Sequence, residues 1–139
     1  MNTSRTLEQL ENTIWPAVPE ESSPMMVRCH ALRKVPLANL SAGDCRVLIN
    51  QGIGEKYLVP LALGYLEGHP VLEGDYYPGD LLVAMIRVEK SFWRSCPSDL
   101  ERLNRVVVLA AAEVSDASSF NPDRQLRKHI DAFLADQNA

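Results

Sequence analysis

A chain of 139 residues, 46% apolar and 23% charged, holds one ordinary core, and that balance excludes wholesale disorder. It has no run of about 18 apolar residues, which excludes a membrane-spanning helix, and MNTSRTLEQLENTIW lacks the apolar stretch of a signal peptide. Eighteen acids against fourteen bases give a net charge of −4, with no basic excess to replace the counterions of a nucleic acid. The expectation is a single cytoplasmic domain over residues 1–139 that binds no nucleic acid and no membrane.

Along the chain, helix signals dominate. Thr6-Leu7-Glu8-Gln9 has capping-box spacing and opens a short helix toward Trp15, which Pro16 and Pro19 break, so PAVPEESS reads as a connector. Ser23-Pro24 starts a second helix, with Met25, Cys29 and Leu32 on one face. Ser41-Ala42-Gly43-Asp44 starts a third, which carries Cys45, Leu48 and Ile49 inward. IGEKYLVPLALGYLEG is apolar nearly all round and suits a buried central helix, kinked at Pro60 or starting close to it.

Leu81 to Val88 repeats apolar pairs at helical spacing. Ser98-Asp99-Leu100-Glu101 is a full capping box, followed by Leu100, Leu103, Val107, Ala110 and Val114 on one stripe. RVVVL at 105–109 competes as a short strand, but the cap before it and the alanines after it favour helix. Asn121-Pro122 opens the last helix, with Leu126, Ile130 and Phe133 inward. The fold expected is all-α, a compact domain of roughly seven or eight short helices.

Chemistry-bearing groups are sparse. Cys29, Cys45 and Cys96 form no C-x-x-C pair and read as small apolar residues of a reducing compartment. His30, His69 and His129 are isolated, and Asp75 and Asp80 lack the spacing of a calcium loop, so no metal and no cofactor are expected. Neither G-x-S-x-G nor a phosphate-binding loop occurs. Glu73 with Asp75 or Asp80 would serve as an acid pair for hydrolysis only at a separation of about 5–9 Å, and nothing in the sequence completes such a site.

The charge is concentrated. Residues 52–80 carry Glu55, Glu67, Glu73, Asp75 and Asp80 against Lys56 alone, while the rest holds thirteen acids and thirteen bases. That segment would suit a basic partner, or else is simply a solvated surface. Its densest part is EGDYYPGD at 73–80. There Gly74, Pro78 and Gly79 are turn residues, and Asp80 is placed to cap the helix that follows and to favour its positive end. Tyr76 and Tyr77 offer broad faces with polar tips, for packing or for contact.

Taken in order, LRKVPLANL, DCRVLINQGIGEKYLVPLAL, GDYYPGDLL and SFW, within residues 32–103, resemble the immunity proteins of bacterial contact-dependent growth inhibition (CDI) systems. The resemblance implies a non-catalytic antitoxin that binds the C-terminal toxin domain of a cognate CdiA effector, often a nuclease, and blocks it. A nuclease cleft attracts phosphate and is basic, so an acidic surface would plug it. Immunity proteins differ in order to match different toxins, so the shared Gly74, Pro78, Gly79 and Asp80 are expected to be structural. Toxin contacts are then expected at Glu55, Glu67, Glu73, Asp75 and Tyr76. The alternative is a helical adaptor with an unrelated partner, and the third reading is a small hydrolase using the acidic loop.

Overall fold

The computed structural model describes residues 3–114 and 121–137. Among them the chain forms eight α-helices and almost no extended structure: α1 (Leu7–Glu11), α2 (Pro24–Leu32), α3 (Ala42–Asn50), α4 (Glu55–Gly68), α5 (Asp80–Ile86), α6 (Lys90–Ser95), α7 (Pro97–Val114) and α8 (Asn121–Gln137). A single 3-10 turn at Leu37–Asn39 joins α2 to α3. The fold is all-α, as the helix signals imply.

Local side-chain chemistry starts three of these helices where the sequence places them. Thr6 and Ser41 each close a reciprocal capping box, with Gln9 and Asp44 as their partners. The Ser23 hydroxyl accepts from the Met26 amide while Pro24 occupies the first turn. RVVVL is helical, because Val106 and Val107 are buried while Val108 and Leu109 face solvent and Ala110 is buried again. On α8, Leu126, Ile130 and Phe133 point inward as expected.

Other boundaries differ from the expectation. Helix α1 stops at Glu11 rather than near Trp15, because Asn12 adopts the left-handed conformation at φ 52° and its N–H turns back to the last carbonyls. Helix α4 starts at Glu55 and runs through Pro60, so the proline neither starts nor ends it; the Lys56 carbonyl simply lacks the N–H that would have met it. Helix α7 starts at Pro97, ahead of the Ser98 box, since a proline in the first turn needs no hydrogen-bond partner. Met25 shares the helical face of Cys29 and Leu32 but, in the first turn of α2, is 39% exposed. The side chain of Val114 lies outside the described residues. Helix α6 has no side-chain cap, and its start carries no signal in the sequence.

Buried side chains from all eight helices join one core. Helix α3 packs on α4 and α5, and α7 packs on α4 and α8, so α4 is central. Two tyrosines tie other parts of the chain to this helix: the Tyr57 hydroxyl donates to the Leu10 carbonyl of α1 at 3.2 Å and the Tyr65 hydroxyl to the Leu40 carbonyl, ahead of α3, at 2.6 Å. The connection between α4 and α5 contains EGDYYPG, with the final Asp80 opening α5, and α3 sits behind it. Among the described residues no helix is long and apolar enough to cross a membrane.

Candidate functional site

The loop ahead of α5 is closed by one carboxylate. Asp80, 4% exposed, accepts from the amides of Gly74 at 2.6 Å, Asp75 at 2.9 Å and Tyr76 at 3.0 Å. The expectation that Asp80 caps its own helix is corrected here: Gly79 is the N-cap, and no side chain caps α5. The chain reversal points three loop amides at Asp80, and those take up its lone pairs instead. The charge still stands in the first turn of α5, at the positive end of the helix. Glu73 and Pro78 form an isolated antiparallel bridge across the loop.

Glycine permits the reversal and its close approach to α3. Gly79 has φ 90°, and a Cβ there would come within 2.6 Å of Leu126 on α8. A Cβ on Gly43 of α3 would collide with the Asp75 carboxylate, and one on Gly74 would lie 3.2 Å from the Gly43 backbone. Two facing glycines therefore let the loop lie on α3.

Two arginines from other helices then clamp Asp75. Arg28 Nη1 and Arg46 Nη2 both donate to Asp75 Oδ2 at 3.0 Å. Arg28 Nη2 also reaches Asp44 Oδ1 at 2.9 Å. The hydrogen bond from Arg28, with help from Arg46, holds the Asp75 carboxyl below its usual range, and the same bond raises Arg28. At Asp44 burial works against ionisation, but the Ser41 amide and Arg28 outweigh it and the net shift is downward. The Arg46 guanidinium lies 4.7 Å from the centre of the Tyr76 ring. Tyr76 itself is 72% exposed. The Asp75 carboxylate, held ionised between two arginines, is a poor proton donor, and the Asp80 oxygens are occupied by the three loop amides.

The acidity of residues 52–80 is therefore not an acidic surface. Asp75 and Asp80 are taken up as described, and Glu67 is paired with Arg102 of α7 through two bonds of 3.0 and 2.7 Å. That bond pulls the Glu67 carboxyl downward. Glu73 is exposed and has no ion-pair partner among the described residues. Glu55 is half-buried at the start of α4, and its carboxyl is pushed up by burial and by nearby Glu89. Glu55 and Glu67 stand twelve residues apart on one helix, about 18 Å along its axis. The structure thus brings Asp75 and Tyr76 together with Asp80, and leaves Glu55 and Glu67 at opposite ends of α4.

Arg28, Arg46 and Asp44 are the residues that sequence reasoning missed at this site. Asp44 is visible there only as a capping-box member, and the arginines only as part of a balanced remainder. Their partner is 47 and 29 residues away, beyond any local signal. Cys29 and Cys45 are buried, with the Cys45 thiol pushed up to about 12 by burial and by Asp44, whereas Cys96 is only partly buried. No three metal-ligating side chains gather among the described residues.

A family model described as CDI immunity proteins matches residues 9–103, more than half of the chain. The chain belongs to the CDI immunity proteins. The matched stretch runs from α1 into α7 and contains Arg28, Asp44, Arg46, Asp75, Asp80 and the Glu67–Arg102 pair. No curated protein matches the chain. Membership sets its role as immunity against CDI toxins, and the clamped loop lies inside the family's matched region of this immunity protein.

Proposed function

We propose that this CDI immunity protein neutralises the C-terminal toxin domain of its cognate CdiA effector by direct binding in the cytoplasm, without catalysing a reaction, and that the toxin is a nuclease. The observation that carries the reading is Tyr76, 72% exposed on a loop whose backbone is held by three amide bonds to Asp80 and whose neighbour Asp75 is clamped by two arginines. A large aromatic side chain held in solvent on an ordered platform is a preorganised anchor, because little conformational freedom remains to be lost on binding. Glu73 stands beside it with its charge uncompensated, available to a lysine or arginine of a phosphate-attracting cleft. Asp75 contributes by holding the arginines. Glu55, with Glu89, supplies a second acidic position, and Glu67 reaches a partner only by exchanging Arg102.

The test is co-expression with the toxin domain encoded by the neighbouring effector gene. Wild type should rescue growth and form a stable complex, and Tyr76→Ala should weaken the complex by about tenfold or more, the range of an interface hot spot. Absence of any complex with wild type would overturn the immunity mechanism. An unchanged affinity for Tyr76→Ala and Glu73→Lys would move the interface elsewhere on the molecule.

A further inference from the structure

We infer that the cleft beside Tyr76 seats an acidic side chain of the toxin domain, so that the interface carries both signs of charge rather than presenting an acidic plug alone. The inference rests on the immunity reading above. The cleft, about 490 Å3, lies between the first turn of α2 and the end of α3, and its walls include Met25, Arg28, Arg46, Gln51, Tyr76 and Arg87. Three arginines therefore line one opening. Asp44 and Asp75, which pair with Arg28 and Arg46, are not among its walls.

The three arginines differ in what they still offer. Arg28 and Arg46 are fixed by their carboxylates, which orders the guanidinium groups before any partner arrives. Arg46 Nε is buried without a hydrogen-bond partner among the described residues, with Asp80 Oδ2 3.7 Å away. The side chain of Arg87, the exposed C-cap of α5, makes no hydrogen bond or ion pair to a described residue, its backbone N–H alone donating to the Val83 carbonyl. A Glu or Asp side chain entering here would place its carboxylate on Arg87 and the open edge of the other two guanidinium groups. Its stem would lie against the Tyr76 ring and Met25, both partly or largely exposed.

An RNA strand fits these observations less well. Two of the three arginines are already opposed by carboxylates, the chain carries −4 overall, and a cleft of this size suits a few side chains rather than a backbone track. With Glu73 outside the cleft and the arginines inside it, adjacent charges of opposite sign fix the orientation of a docked partner and disfavour mismatched toxins.

The experiment is a titration of the purified full chain against the cognate toxin domain. Arg87→Glu should raise Kd by about tenfold or more, as expected for reversing one partner of a close charge pair. Arg94→Glu is the control, since Arg94 is exposed on α6 and has no ion-pair partner among the described residues. It should change Kd by less than about threefold, the size of a screened long-range effect. Because the Arg87 side chain is exposed and unpaired, its variant should melt within a few degrees of wild type, the shift expected from placing a carboxylate at the C-terminal end of α5. A wild-type complex that Arg87→Glu leaves intact, or that Arg94→Glu weakens equally, would overturn the inference while leaving the immunity reading standing. If wild type fails to bind the toxin domain, both fall together. Titration with a labelled single-stranded RNA should show no saturable binding; binding that Arg87→Glu abolishes would assign the cleft to nucleic acid and overturn the proposal.

Discussion

Two irregular segments of this immunity protein are each held by an arginine lying over an aromatic ring, and the two clasps are built differently. At the connector after α1, Arg33 lies 4.3 Å from the centre of Trp15, which in turn meets His30 edge-on. Its Nη2 donates to Glu11 at 2.8 Å and to the Thr13 carbonyl at 3.0 Å. Arg33 is 1% exposed, yet its Nε and Nη1 have no hydrogen-bond partner among the described residues. At the loop before α5, Arg46 stacks on Tyr76, but Asp75 is held by a second arginine as well, and Asp80 closes the backbone from inside. The connector thus relies on one buried arginine with two unpartnered nitrogens, whereas the loop is closed locally by Asp80 and then clamped by two arginines, of which Arg46 lacks a partner only at Nε. Ile14 beside the first clasp is 80% exposed, and little of the connector is buried. A surface that must meet a partner without rearranging is better built in the second way.

The largest expected effect is at the inner closure. Asp80→Ala leaves three amides without their acceptor and removes a buried charge facing Arg46, which should cost roughly 3 kcal/mol of unfolding free energy in a denaturant titration. A cost under about 1 kcal/mol would mean that the loop is not held from inside. At the connector, Arg33→Met exchanges one buried cation with two unpaired donors for an apolar chain of similar length. The same titration should show a change within about 1 kcal/mol, because the lost bonds to Glu11 and Thr13 are offset by lost desolvation. If Arg33→Met costs as much as Asp80→Ala, the contrast between the two clasps fails.

The third prediction concerns acid. The folded carboxyl of Asp75 lies below its ordinary value, chiefly through the Arg28 bond, so its contribution is full above the unfolded pKa and is lost as pH falls through the folded one. Stability measured from pH 6 downward should therefore decline below about pH 4, the ordinary aspartate range. Asp75→Asn should start lower at pH 6 and decline less steeply. Parallel curves for the two proteins would remove Asp75 from the account of the clamp.

Helix existence was largely legible in the residues, because capping boxes at Thr6 and Ser41 and the apolar stripe of α8 are interactions over three or four positions. Misplaced ends have local causes too weak to outrank their neighbours: the left-handed Asn12, and Pro97 ahead of a capping-box sequence. The short α6 was not legible at all, since no side chain caps it. At the candidate site, the turn residues of EGDYYPGD could be recognised as a group, but not the direction in which Asp80 faces. That depends on where three amides point once the chain has reversed.

The sequence by itself determined the all-α class, most helix starts and the kinship to CDI immunity proteins, all of which reside in local order along the chain. Only the tertiary structure decided the charge of the surface. Counting acids over residues 52–80 finds a negative segment, but Glu67 meets Arg102 and Asp75 meets Arg28 and Arg46 across 29 to 47 positions. Coulomb attraction depends on distance in space and on exposure to water, neither of which a local count contains. Folding turned an acidic stretch into a largely neutralised platform, with Glu73 and Tyr76 exposed at its edge and an arginine-lined cleft beside it.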